Sequence, residues 1–160
     1  CPLFGTLVSL LHQGTPVLGA IHMPMLNQLC IGDARETTVN GRTVQLRHTP
    51  DLSGATLLTS DVAAIMKSNH KHSIDTLIDK TQLFRTWGDC YGYLLVASGK
   101  ADIMLDLNMA TWDVMPLIPI IQGAKGVITT WSGGDAADGT TCMATNSSLH
   151  RQILGILQAH

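Results

Sequence analysis

The sequence predicts an α/β fold, and three observations support this class. Short apolar runs of strand length alternate with helical patterns from about residue 55 onward, as in a sheet covered by helices. Two hairpin patterns precede them. The chain is 45% hydrophobic and 14% charged, which supports a sizeable core and argues against disorder. We therefore expect sheet strands and a connecting hairpin in residues 1–54, and an α/β domain in residues 55–160.

The first 54 residues predict two hairpins. Apolar runs at 4–11 and 16–23 have the length of strands, and Gly14 lies in the turn between them. A second, smaller hairpin is indicated by Asn40 and Gly41, the strongest short-range turn signal in the chain. Its strands are expected at 37–39 and 42–44.

The remaining residues predict alternating strands and helices. Asp61 is expected to cap the first helix, and Gly99 is expected to end the second. The polar, His-rich stretch 68–73 is interpreted as a loop. Strands are predicted at 55–60, 101–107 and 126–130, and helices at 62–67, 88–97, 112–122 and 149–158.

Charge and cysteine usage exclude several functions. The formal net charge is −2 and no run of Lys and Arg occurs, so neither a nucleic acid partner nor a membrane surface is expected. The longest apolar run, 114–121, is too short to span a bilayer. The four cysteines lie far apart without a Cys-x-x-Cys pair, which favours the cytoplasm or a reducing organelle.

Two acidic residues form the first candidate site. Asp106 ends a predicted strand, Asp113 begins a predicted helix, and the loop between them can bring both carboxylates to one cleft. Carboxylate oxygens are the ligands that a hard cation such as Mg²⁺ takes. The alternative is that Asp113 is a helix cap and Asp106 a solvated strand end.

The second candidate is the segment Gly88, Asp89 and Cys90. A glycine before a helix lets a ligand approach the backbone, and Asp89 can accept hydrogen bonds from it. The alternative is an ordinary N-cap. Cys90 has no charged partner that would make it a nucleophile. The histidines at 48, 70 and 72 lack the spacing of a structural zinc site and are interpreted as solvated.

Two longer runs carry a resemblance to a known family. Residues 87–93 read Trp-Gly-Asp-Cys-Tyr-Gly-Tyr, and residues 112–119 read Trp-Asp-Val-Met-Pro-Leu-Ile-Pro. They resemble the C-terminal signature of the inositol-monophosphatase superfamily, nearest to its histidinol-phosphatase branch. The resemblance implies the C-terminal part of the layered α/β sandwich shared by inositol monophosphatases and fructose bisphosphatases.

The resemblance also implies roles for individual residues. Asp113 matches the aspartate that binds the second magnesium ion, and Asp106 matches an acidic position that contacts the organic part of the substrate. Gly88, Asp89 and Cys90 match the segment that lines the same pocket. An acidic residue in that segment suits a cationic amino alcohol with an imidazole ring.

The sequence departs from the family pattern mainly at the first metal site. It needs an early Glu and an Asp-Pro-Ile-Asp-Gly-Thr loop, and neither occurs here. We therefore expect a fragment that is inactive alone, with its catalytic residues in a missing N-terminal part. Lys125 stands where the family usually has glycine, and Pro119 is expected to kink its helix.

The parent protein is thus expected to be a magnesium-dependent phosphomonoesterase. Its expected substrate is histidinol phosphate, hydrolysed in histidine biosynthesis. An inositol-monophosphatase-type enzyme and a non-catalytic binding or assembly module are the alternatives. Expected partners are a small-molecule phosphate ester, and the missing N-terminal part or a second copy of the chain.

Overall fold

The computed structural model describes residues 1–159, which form two five-stranded sheets. The first sheet is an antiparallel meander in which each strand pairs with the next. Its strands are β1 (Thr6–His12), β2 (Thr15–Met23), β3 (Gln28–Gly32), β4 (Thr37–Val39) and β5 (Arg42–Val44).

Both predicted hairpins are confirmed, together with their turn residues. Gln13 and Gly14 join β1 to β2 with φ values of 50° and 82°. Asn40 and Gly41 join β4 to β5 with φ values of 50° and 75°. Two consecutive positive φ angles are the requirement of the hairpin turn whose twist matches the flanking strands. Strand β3, between the hairpins, was not predicted.

The second sheet is mixed and has the order β7-β6-β8-β10-β9. Strand β6 is parallel to both of its neighbours, while β10 is antiparallel to β8 and β9. The carboxyl ends of β6 and β8 therefore meet at one edge. The strands are β6 (Thr56–Thr59), β7 (Leu83–Thr86), β8 (Ile103–Leu107), β9 (Val127–Thr129) and β10 (Thr141–Thr145).

Six α-helices are found in residues 1–159. The Asp61 carboxylate accepts a hydrogen bond from the Ala64 N–H at 2.9 Å, which confirms it as the cap of the first helix. The helices are α1 (Val62–Lys67), α2 (Lys71–Lys80), α3 (Tyr91–Ala97), α4 (Thr111–Val114), α5 (Leu117–Gly123) and α6 (Ser147–Leu157).

The elements stack in layers, so the predicted α/β sandwich is confirmed. Helices α3 and α5 lie between the two sheets in one hydrophobic core, and a second core lies on the other face of the second sheet. Two glycines allow α5 to contact the first sheet directly. A Cβ at Gly19 would lie 1.9 Å from the Pro116 carbonyl oxygen, and one at Gly32 would lie 2.5 Å from the Ile120 Cα.

Several sequence predictions are wrong in detail. The stretch 68–73 is not all loop, because α2 begins at Lys71. The single helix predicted at 112–122 is two helices, α4 and α5, divided where Pro116 lacks an N–H to continue the ladder. Pro119 lies in the first turn of α5, where an N–H has no intrahelical partner, so it removes no hydrogen bond. Strands β7 and β10 were not predicted.

A buried carboxylate ties the segment after the first sheet to the second sheet. The side chain of Asp102 is fully buried, and its two oxygens lie 2.7 Å from Nε and 2.5 Å from Nη2 of Arg47. The Thr49 hydroxyl and the Thr56 N–H also donate to it, at 2.5 and 2.6 Å. All four hydrogen bonds are lost if this carboxylate is removed, and of the four donors Arg47 Nη2 keeps a second acceptor, the Thr56 hydroxyl at 3.2 Å.

Asp102→Ala is therefore expected to lower the free energy of unfolding by about 3 kcal/mol, because a buried carboxylate with hydrogen bonds to Arg47, Thr49 and Thr56 is lost. The exposed pair of Lys71 and Asp75, 2.6 Å apart on α2, provides the matched control. Asp75→Ala should cost less than about 0.5 kcal/mol. Urea unfolding of the two variants measures the difference, and equal losses would contradict the account.

Candidate active site

A cavity of about 350 Å³ opens at the carboxyl ends of β6 and β8. Residues from β1 and from the starts of α3 and α4 complete its wall. The lining residues are Gly5, Leu7, Ser60, Asp61, Asp89, Cys90, Tyr93, Asp106, Leu107, Asn108, Met109, Asp113 and Leu117. Asp89, Cys90, Asp106 and Asp113, named from the sequence, thus face one space, whereas Gly88 is exposed and does not line it.

Asp106 lies on β8 and is only 3% exposed. Its Oδ1 atom accepts hydrogen bonds from the Ser60 N–H at 2.8 Å and from the Ser60 hydroxyl at 2.7 Å. The Thr59 hydroxyl approaches the same oxygen at 3.4 Å. The alternative interpretation of Asp106 as a solvated strand end is therefore wrong.

Burial raises the pKa of the Asp106 carboxyl, and the hydrogen bonds from Ser60 oppose that shift. Burying this carboxylate costs stability once the pH exceeds its unfolded-state pKa, because the folded pKa lies higher. The parallel pairing of β6 with β8 creates this arrangement, since it places Ser60 just beyond β6 and next to Asp106. The site thus holds a charge that the fold stabilises only in part.

Asp113 lies in the first turn of α4 and is half-buried. The N-cap of α4 is Ala110, and no side chain caps that end. The interpretation of Asp113 as a helix cap is therefore wrong, although its position at a helix start is confirmed. Its carboxylate faces the cavity, where the exposed N–H groups of a helix start favour negative charge.

Asp89 and Cys90 lie just before α3, which begins at Tyr91 rather than at Gly88 as predicted. Asp89 has a positive φ of 50° and does not cap α3, whose N-cap is Cys90. The Cys90 thiol is buried, and its sulfur lies 3.6 Å from that of Met23. Burial raises the pKa of this thiol to about 11, so it stays protonated at neutral pH and is a poor nucleophile.

Ser60, Asp61 and Tyr93 are among the lining residues that were not named as site residues from the sequence. Ser60 was placed at the end of the predicted strand 55–60, Asp61 was interpreted only as a helix cap, and Tyr93 was counted in the helix 88–97. Their chemistry depends on contacts that are distant in sequence, since Ser60 and Asp106 are 46 residues apart. A polar residue at the end of an apolar strand is the one sequence signal that could have identified Ser60.

The cavity is strongly acidic. Four aspartates line it, and none of its described lining residues is a Lys, Arg or His. Such a wall favours a positively charged ligand group and hydroxyl donors over an anionic organic part. Carboxylate oxygens are also the donors that Mg²⁺ prefers, so the donor chemistry fits a magnesium ion.

The described residues do not form a complete metal site by themselves. Within residues 1–159, no three His, Cys, Asp or Glu side chains converge closely enough to hold a metal ion. Of the histidines considered above, His70 is not solvated as interpreted, because it is half-buried and packs edge-on against Trp131 with ring centroids 5.1 Å apart. None of the helices in this range has both the length and the apolar character that a membrane crossing requires.

Comparison with known proteins defines the class to which this fold and site belong. The Inositol monophosphatase family profile matches residues 1–160. The chain belongs to the inositol monophosphatase family, whose members are phosphatases.

Two curated relatives and one solved structure illustrate the similarity. The chloroplastic bifunctional phosphatase IMPL2 of Arabidopsis thaliana is 34% identical over 99% of this chain and 49% of its own length. The histidinol-phosphatase of Chlorobaculum parvum is 30% identical over 98% of this chain and 61% of its own. An inositol monophosphatase structure from Zymomonas mobilis superimposes with a TM-score of 0.90 at 27% identity, covering 98% of this chain and 63% of that one. The chain thus spans one half to three fifths of these curated relatives.

Proposed function

We propose that the protein containing these residues is a magnesium-dependent phosphomonoesterase that hydrolyses histidinol phosphate to histidinol, a step in histidine biosynthesis. Membership of a phosphatase family and the histidinol-phosphatase relative support the reaction class. The observation that carries the proposal is the cavity with four aspartates at the ends of β6 and β8.

The charge of the cavity favours this substrate. Histidinol phosphate carries an ammonium group and an imidazole beside its phosphate, and carboxylates are the acceptors that both groups need. Asp106 and Asp89 are proposed to bind this organic part. Asp106 is suited to orientation because Ser60 holds one of its oxygens, whereas Asp89 is exposed at the cavity mouth.

Asp113 is proposed to hold a magnesium ion together with ligands from outside these 160 residues. When bound, the ion would supply the charge stabilisation and water activation that phosphate-ester hydrolysis requires. The residues of this chain bind the organic part, hold it in one orientation and place its ester bond near Asp113. Catalytic residues are expected in the rest of the protein.

A reducing compartment is proposed for the protein. The thiols of Cys30, Cys90 and Cys142 are buried and unpaired, and Cys1 is free and exposed. Free thiols in this number are typical of a reduced environment, either the cytoplasm or an organelle.

Phosphate release by the full-length protein tests the proposed function. With millimolar Mg²⁺, turnover of histidinol phosphate should reach at least about 1 per second, and chelation of the metal should abolish it. Inositol 1-phosphate is the second candidate substrate, since its hydroxyls can also donate to carboxylates. A preference for it would make the protein an inositol-monophosphatase-type enzyme. Turnover of neither ester would favour a non-catalytic binding or assembly module.

The outward face of the first sheet carries exposed apolar residues, which supports a partner at this face: the rest of the protein or a second copy of the chain. Val8, Leu10, Leu29 and Ile31 are 55%, 59%, 41% and 38% exposed. The register places Val8 and Ile31 on either side of Ala20, so the apolar residues are neighbours across three strands. Strand β1 is also an edge strand, which offers unpaired backbone groups to another chain.

The 160-residue segment by itself is expected to self-associate through this face, because a contiguous exposed apolar patch is costly in water. Leu10→Lys should shift it toward monomer. Met25→Lys, at a 65% exposed position outside the strands, is the control and should leave association unchanged. Size-exclusion chromatography with light scattering at several concentrations measures this, and a wild-type monomer throughout would contradict the expectation. In the full-length protein the rest of the chain is proposed to cover the face.

A further inference from the structure

One buried hydroxyl in the cavity wall has no ordinary hydrogen bond. Three buried side-chain atoms in residues 1–159 lack a hydrogen-bond partner: Oε1 of Gln28, the hydroxyl of Tyr93 and Oγ1 of Thr145. Of these, only Tyr93 lines the cavity. Tyr93 is 1% exposed, so its hydroxyl cannot turn to bulk water. A buried polar group in this state costs stability and calls for an explanation.

The neighbours of Tyr93 show which group can accept a hydrogen bond from its hydroxyl. It lies on α3 beside Asp106 of β8 and Cys142 of β10, which face each other across the strand pair. The hydrogen bonds from Ser60 and Thr59 all end on Oδ1 of Asp106. The other carboxylate oxygen thus remains for Tyr93 and for a ligand.

Protonation favours a donor role for the Tyr93 hydroxyl. Burial raises its pKa well above the usual value, and the nearby Asp106 charge acts in the same direction. The phenol therefore keeps its proton at any physiological pH. In turn, its interaction with Asp106 lowers the pKa of that carboxyl, in the same sense as the Ser60 hydrogen bonds.

We propose that Tyr93 is a positioning residue for substrate specificity, whose hydroxyl orients the Asp106 carboxylate toward the organic part of the phosphate ester. This inference rests on the proposed function of Asp106 in substrate binding. Ser60 fixes one carboxylate oxygen, and Tyr93 donates to the carboxylate from the α3 side. A ligand donor that enters the cavity completes the arrangement, and the hydroxyl gains its ordinary hydrogen bond when Asp106 takes its final orientation.

A purely structural role of the Tyr93 hydroxyl would affect stability rather than substrate binding. A phenylalanine would fill the same space without the hydroxyl, which lacks an ordinary hydrogen bond, so Tyr93→Phe should change the free energy of unfolding only slightly. A hydroxyl kept at a cost to stability is expected where function uses it. Weaker substrate binding with little change in stability is therefore the signature of the proposed role.

Kinetics of the full-length protein test this signature. Tyr93→Phe should raise the KM for histidinol phosphate by about three- to tenfold, the worth of one hydrogen bond, with kcat changed less than about twofold. Its Tm should be nearly unchanged. Tyr91→Phe is the matched control, since this half-buried tyrosine on the same helix packs against Trp87 and does not line the cavity. Its KM should equal that of wild type.

A second measurement does not depend on turnover. Carboxyl-carbon NMR titration of Asp106 should give a higher pKa in Tyr93→Phe than in wild type and in Tyr91→Phe. The charged and titratable groups around Asp106 are Tyr93, Cys142 and the cavity aspartates Asp61, Asp89 and Asp113, and only Tyr93 changes. If neither ester is hydrolysed by wild type, the proposed function fails while this titration still decides the role of Tyr93.

Two results would overturn the inference. An unchanged KM together with an unchanged Asp106 titration would make Tyr93 a packing residue only. Equal falls in kcat and kcat/KM would place its hydroxyl in transition-state chemistry instead of positioning.

Discussion

Asp113→Asn in the full-length protein is expected to lower magnesium-dependent phosphate release by about a hundredfold or more, because a metal ligand contributes several kcal/mol of transition-state stabilisation. An amide oxygen carries no charge to balance a divalent cation. The magnesium concentration needed for half-maximal rate should rise as well. Steady-state rates at a series of magnesium concentrations measure both effects.

The control for this variant is another aspartate at a helix start. Asp135 accepts a hydrogen bond from the Ala137 N–H at 2.9 Å and caps a short helical turn outside the cavity lining. Asparagine caps equally well, so Asp135→Asn should keep wild-type activity. Unaltered metal dependence in Asp113→Asn would remove Asp113 from the metal site.

The 160-residue segment by itself is expected to release no phosphate from histidinol phosphate or inositol 1-phosphate in millimolar Mg²⁺. Within residues 1–159 the carboxylates do not converge into a three-ligand metal site, and magnesium keeps its waters unless several ligands meet. Calorimetric titration of the segment with Mg²⁺ should accordingly show only weak binding.

The full-length protein under the same conditions is the positive control for the segment. Far-ultraviolet circular dichroism of the segment shows whether the layered fold has formed, so that inactivity is not confused with unfolding. Turnover by the folded segment at about 1 per second or more would contradict the account. Tight magnesium binding by the segment would contradict it equally.

Local sequence signals were sufficient to predict the turns and helix ends that depend on backbone conformation or capping. The turns at Gln13-Gly14 and Asn40-Gly41 require positive φ angles, and glycine supplies the second residue of each. The cap at Asp61 is likewise a contact within three residues. Such features depend on near neighbours, so the sequence predicts them without knowledge of the fold.

Elements stabilised by distant contacts were predicted less well. Helix α2 was partly read as a loop because its residues are polar, yet Ile74 and Leu77 are buried on one face in contact with α6. Strand β10 is only five residues long and is held between β8 and β9. Its burial comes from two partners rather than from its own pattern, so periodicity does not reveal it.

The residues of the candidate site also fall into two groups, those that the sequence predicted and those that it did not. Asp106, Asp113 and Asp89 were identified from motifs, and the fold brings all three to one cavity. Ser60 and Tyr93 were not, because their importance arises only when β6, β8 and α3 come together around Asp106. The roles proposed for all of these residues are predictions for the full-length protein.

The central claim is that the acidic cavity selects a cationic phosphate ester. The most direct test is the ratio of kcat/KM for histidinol phosphate to that for inositol 1-phosphate, measured for the full-length wild type and for Asp89→Ala. The account predicts a ratio well above one in wild type and a fall of about tenfold or more in the variant, carried by KM, because a charged hydrogen bond to the ammonium or imidazole is lost. A ratio near or below one in wild type, or a ratio that Asp89→Ala leaves unchanged, would contradict it.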